Sequence, residues 1–215
     1  MGRYFLKEGY VERARPQYFK AAAQQRKVWQ PNVYKAAAEW ARRLGCDRIV
    51  DVGCGNARKL VELHPEFDIV GLDFGENIEH CRTYGLGTWI DWDIEHDPLP
   101  AVDVGRSVIV CADVIEHLVD PLKLLDHLKT LLEHAPLAIL STPERDLTRG
   151  VEDMGPPLNP SHAREWNRAE LHALLESRGL APLRIELTES HDRTEAKDTM
   201  MVTIPGAGFP PDERS

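Results

Sequence analysis

The sequence predicts an α/β fold: a mostly parallel sheet covered by helices on both faces. Two observations lead there. Strand-type runs at 48–52, 68–73, 88–94, 106–111 and 136–141 alternate with helical patterns or polar loops, and parallel neighbours need crossovers of that kind. The stretch "IVDVGCGNARKLVEL" (49–63) changes character midway. An apolar strand-type run, Ile49 to Val52, is broken by Gly53-Cys54-Gly55, and Leu60, Val61 and Leu63 resume at helical spacing.

The elements follow in order. Tyr18, Phe19, Ala22 and Ala23, then Val33, Ala36, Ala37, Trp40 and Leu44, keep a 3.6-residue period. They predict helices across 10–43, with Pro31 opening the second. Leu118, Leu122, Leu125, Leu128 and Leu132 mark an amphipathic helix with Asp120-Pro121 in its first turns. Residues 143–166, rich in Pro, Gly and charge, read as a long loop. Arg145, Arg149 and Arg164 sit there among acids and are expected to be solvated. Asn167 and Glu170 form a capping-box variant for a helix ending at Gly179. "PLRIEL" and "TMMVTI" read as two closing strands, and the tail after residue 205 is expected to fray. The organisation predicted is a helical lid over 1–44, a core domain over 45–205 and a flexible tail over 206–215.

Composition narrows the function. The 215 residues are 42% hydrophobic, enough for one well-cored domain, and carry a net charge of −9. That charge disfavours a broad basic face for duplex nucleic acid or anionic membrane. No run approaches the ~18 apolar residues of a membrane span, and the polar start lacks a signal-peptide core. Cys46, Cys54, Cys81 and Cys111 make no CxxC pair, so reduced thiols in a cytoplasmic protein are expected.

The chemistry gathers at the strand ends. Glycines after a first strand let a nucleotide-type ligand approach the backbone, and Gly53 and Gly55 meet that need. Ala57 replaces the third glycine of dinucleotide sites, which weakens a nicotinamide or flavin reading. Asp51, Asp73 and Asp93 are acids at three successive strands. Asp73 is placed to accept ribose hydroxyls, and Asp93 with Ile94 to hold an adenine.

"VDVGCGNA", "VGLDFG", "DWDIEHDPLP", "VIVCADVIEHLVDP" and "LAILSTPE" together resemble the ordered motifs of class I S-adenosylmethionine-dependent methyltransferases. The resemblance spans roughly 48–143. It implies a Rossmann-like, seven-stranded sheet whose last strand is antiparallel. It also implies that Gly53, Cys54 and Gly55 contact the methionine part of S-adenosylmethionine, Asp73 the ribose, and Asp93 and Ile94 the adenine. Cys111, Ala112 and Asp113 would face the amino end, with Asp51 and Phe74 completing the cofactor set.

Glu116, His117 and His162 admit three roles. They can shape the pocket, a histidine can act as general base, or the group can hold a divalent ion. The last role resembles the family that methylates the 2′-hydroxyl at small-RNA 3′ ends, whose ligands are Glu-x-x-Glu-His and a later His. Asp113 stands here for the first Glu and shortens that arm. The expectation is therefore a metal-free O-methyltransferase acting on a sugar, phenol or secondary metabolite, with His117 and His162 catalytic. Its alternatives are the metal-dependent RNA-end enzyme and a non-catalytic module that retains the cofactor pocket. Oligomeric state is open.

Overall fold

The computed structural model describes residues 2–20 and 27–214. Seven strands form one sheet: β1 (Arg48–Val52), β2 (Asp68–Asp73), β3 (Thr88–Asp91), β4 (Ser107–Ala112), β5 (Leu137–Pro143), β6 (Arg184–Glu189) and β7 (Lys197–Pro205). Their order is β3-β2-β1-β4-β5-β7-β6, and β1 to β5 run parallel. The last strand, β7, inserts antiparallel between β5 and β6. The expected sheet, with its antiparallel final strand, is the one found.

The central strands are buried along nearly their whole length, as continuous apolar runs covered on both faces must be. Period-two alternation splits them between two cores. Ile49, Val108, Val110, Leu137 and Ile139 face α1 (Pro31–Leu44), whose Val33, Ala37 and Ala41 are fully covered. Val50, Val52, Ile109, Ala138 and Leu140 face the side of the later helices. Three short helices, α2 (Arg58–Val61), α3 (Gly75–Arg82) and α5 (Arg145–Arg149), join the longer α4 (Pro121–Leu132) and α6 (Arg168–Ser177). Pro121 opens α4 behind Asp120, whose carboxylate accepts from Leu122 N. The Asn167–Glu170 box caps α6 reciprocally as expected.

Four expectations need correction. Residues 10–20 are not helical; Ala22 and Ala23 lie outside the described residues. Instead the segment is an extended strap. Val11, Arg13 and Gln17 donate their backbone N–H groups to the carbonyls of Met154, Ala163 and Pro160, so tertiary partners replace the i−4 carbonyls of a helix. The strand predicted to 94 stops at Asp91, and Asp93 forms an Asx turn, accepting from Glu95 N at 2.9 Å. Arg145 and Arg164 are buried rather than solvated. The tail is packed as far as Phe209, which sits against Trp40 with ring centroids 5.6 Å apart. Gly206 passes so close to Ala135 that a Cβ would lie 2.0 Å from its carbonyl oxygen. No helix among the described residues is long and apolar enough to cross a membrane.

Candidate cofactor and methyl-transfer site

A cavity of about 490 Å³ opens at the carboxyl ends of β1, β2 and β4, where parallel α/β sheets bind ligands. Its floor is the Gly53–Gly55 turn. Both glycines have positive φ, +77° and +57°, and a Cβ on Gly53 would lie 2.5 Å from Val114 Cγ2. Only glycine fits there.

Asp73 ends β2 beside that turn. One carboxylate oxygen accepts from Gly55 N at 2.8 Å; the other accepts from Phe74 N at 2.8 Å and Asn77 Nδ2 at 3.3 Å. Burial pushes its pKa up to about 6 against those hydrogen bonds. A carboxylate offers about four lone-pair positions, so capacity remains for a ligand's hydroxyls. Beyond it, Trp92, Asp93 and Ile94 form one wall and Ala112 and Asp113 another. Asp113, at φ +54°, accepts from Gln30 Nε2 at 2.8 Å and Ser141 Oγ at 3.3 Å. The strap roofs the cavity with Gln17, Tyr18 and Phe19, and the Tyr18 hydroxyl donates to Phe74 O across the mouth.

Of the predicted cofactor residues, Gly53, Cys54, Gly55, Asp73, Phe74, Asp93, Ile94, Ala112 and Asp113 line this space. Asp51 and Cys111 do not, because both point into the packed interior. Asp51 Oδ2 accepts from the Tyr34 hydroxyl at 2.6 Å while Oδ1 has no partner among the described residues, and burial raises its pKa to about 7. Lys59, Asn77 and Gln30 were missed by sequence reasoning. Asn77 was legible as a polar residue one helical turn past Asp73. Gln30 had no local signal.

His117 lies at the cavity wall, in the 3-10 turn Ile115–His117 after β4. Its Nδ1–H donates to Ser161 O at 2.9 Å, which leaves Nε2 as the unprotonated nitrogen. Burial, reinforced by His162, lowers its pKa to about 3. Phe19 packs on its ring at 4.9 Å. His162 sits behind it, edge-on, with ring centroids 4.8 Å apart, and does not line the cavity. Both its nitrogens are engaged: Nδ1 with Glu165 at 2.6 Å and Nε2 with Asn159 Nδ2 at 2.9 Å. Asn159 Oδ1 accepts from Ser161 N, which fixes that amide's orientation. Glu116 is fully buried. Its Oε2 accepts from Thr142, its Oε1 has no partner among the described residues, and burial raises its pKa well above the usual range.

The family described as "Methyltransferase domain" matches residues 19–185. The chain belongs to that family. The methyltransferase is 32% identical over 146 residues to a probable S-adenosylmethionine-dependent methyltransferase of Mycolicibacterium smegmatis, covering 65% of this chain and 54% of the relative. It thus spans about half of that relative's length. It is 31% identical over 170 residues to a ubiquinone biosynthesis O-methyltransferase of Ruegeria sp., covering 68% of each. A solved S-adenosylmethionine-dependent methyltransferase from Clostridium acetobutylicum shares the fold, with TM-score 0.61 and 12% identity, covering 85% of this chain and 94% of that one.

The cofactor of the methyltransferase is S-adenosylmethionine, and the residues present fit it. A glycine floor that a Cβ would fill and an almost buried carboxylate beside it match a nucleoside bearing vicinal hydroxyls. An Asp73→Ala variant is expected to bind S-adenosylhomocysteine about ten- to hundredfold more weakly, the loss typical of hydrogen bonds to a charged group. Calorimetric titration checks this; unchanged affinity in a folded variant would remove the ribose from Asp73.

Proposed function

We propose that the methyltransferase methylates a hydroxyl oxygen of a small molecule held under the strap. The observation that carries this reading is His117: a ring at the cavity wall, fixed through Nδ1–H on Ser161, with Nε2 free of any hydrogen bond among the described residues. S-adenosylmethionine supplies a methyl group on a positively charged sulfonium, activated for in-line displacement. What remains for the protein is alignment and, for a hydroxyl, an acceptor for its proton. His117 Nε2 accepts the hydroxyl's hydrogen bond and orients its lone pair. His162 holds the His117 ring edge-on, as a positioning residue. Residues 14–19 act as a lid that excludes water, the role expected of the region 1–44. The similarity to a ubiquinone biosynthesis O-methyltransferase agrees in reaction type.

A second reading rests on one observation. Ligand atoms of Glu116, His117 and His162 all lie within 4.8 Å of one another, a grouping suited to a divalent ion, as in metal-dependent RNA-end methylation. Against it, His162 Nε2 already accepts from the fixed Asn159 amide, which an ion would have to displace.

The test offers phenols, sugars and a short single-stranded RNA as acceptors, with mass spectrometry of product and S-adenosylhomocysteine. Methylation of a phenol or sugar that persists in chelator is expected. Transfer only to RNA, lost in chelator and restored by Mg²⁺ or Mn²⁺, would replace the first reading by the second.

A further inference from the structure

Lys59 is a cation in the first helical turn after the glycine floor. It lies in α2, four residues past Gly55, half-buried and lining the cavity. Its ammonium rests 4.4 Å from the centroid of the Tyr34 ring, a cation–π seat. No ion pair or hydrogen bond joins it to any described residue. Of the acids whose charge acts on it, Asp113, Asp51 and Glu62, one oxygen of Asp51 also has no hydrogen bond among the described residues, while the other carboxylate contacts near the cavity are taken. Asp51 holds Tyr34, Asp73 holds the glycine turn and Asn77, and Asp113 holds Gln30 and Ser141.

An ammonium withdrawn from water without a counter-ion is costly. Burial accordingly lowers the Lys59 pKa, with Asp113 and Asp51 opposing the shift. An incoming anion removes that cost. S-adenosylmethionine carries one carboxylate, on its amino-acid end, and the ribose and adenine ends are taken up by Asp73 and by Asp93 with Ile94. Lys59 follows the glycine turn by four residues, and among the acids Asp113 acts on its charge most strongly.

We propose that Lys59 binds the cofactor's carboxylate, while Asp113 faces its ammonium, so that the two side chains recognise the zwitterion as a unit. This rests on the cofactor assignment above. It makes the site selective for the complete amino-acid moiety over decarboxylated analogues.

Three ligands separate the possibilities by calorimetry: S-adenosylhomocysteine, its decarboxylated amine, and methylthioadenosine, which lacks the whole amino-acid group. Lys59→Met is expected to weaken S-adenosylhomocysteine about ten- to hundredfold. Methylthioadenosine should stay within about twofold, which also reports an intact fold. The wild type should prefer S-adenosylhomocysteine over the decarboxylated amine, and Lys59→Met should erase most of that preference. Lys59→Arg should keep a substantial part of it, because the charge remains. Equal loss for all three ligands, or unchanged binding of S-adenosylhomocysteine, would overturn the assignment. A wild type that binds none of them would instead overturn the cofactor reading itself.

Discussion

Replacing Arg145 by methionine is expected to destabilise the methyltransferase by about 3–5 kcal/mol, the usual cost of leaving one member of a buried ion pair alone. Arg145 is fully buried and forks onto Glu170, with N–O distances of 2.5 and 3.1 Å. Glu170 in turn accepts from Lys7 N, ahead of the strap, and Asn167 N at the cap of α6. Removing the guanidinium strands a carboxylate that joins three segments. The double variant Arg145→Met with Glu170→Leu should recover part of the loss, because neither charge is then left uncompensated. It does not recover all of it, since the Lys7 and Asn167 amides lose their acceptor. Urea unfolding of both variants measures this. A single variant within about 0.5 kcal/mol of wild type, the range of ordinary surface substitutions, would show that the pair contributes nothing.

His117→Ala is expected to lower the maximal rate by about 10²-fold, the low end of what acid–base groups supply. The low end follows from the pKa. With the folded value held near 3 instead of 6.5, the imidazole is neutral and ready at ordinary pH but thermodynamically a weak base, so alignment of the hydroxyl dominates its contribution. The sign of the pH dependence follows too. Lowering the pKa moves the acid limb of the rate down towards pH 3. Between about pH 5 and 8 no limb from His117 should appear, although an unperturbed histidine would titrate there. Wild-type and variant profiles should therefore run parallel in that window. A wild-type limb near 6.5 that vanishes in the variant would mean that substrate binding restores the ordinary pKa. A variant with wild-type rate would remove His117 from the chemistry.

Much of the site was readable in advance because its determinants are local. A strand, two glycines and a helix must turn where they do, and Asp73 closes its strand wherever that strand pairs. The Asn167–Glu170 cap spans a single helical turn, so two residues three positions apart specify it. Asp93 and Ile94 reached the cavity although their strand ended early, since the turn continues along the same sheet edge.

The misreadings share one cause, which is partners distant in the chain. Tyr18 and Phe19 carry a helical period, but their segment is drawn straight by carbonyls some 140 residues later. Arg145 looked solvated because its neighbours in sequence are charged; besides the adjacent Asp146 it forks onto Glu170, 25 residues away and buried with it. Asp51 belongs to the glycine motif yet is turned inward to Tyr34, and His162 is shielded from the cavity by His117. The sequence by itself therefore determined the sheet, the glycine floor and the acid beside it at the end of β2, which depend on backbone geometry and short-range hydrogen bonding. Only the tertiary structure decided which polar side chains keep a free lone pair or charge at the cavity, His117 and Lys59 above all, because that depends on how packing satisfies every other polar group around them.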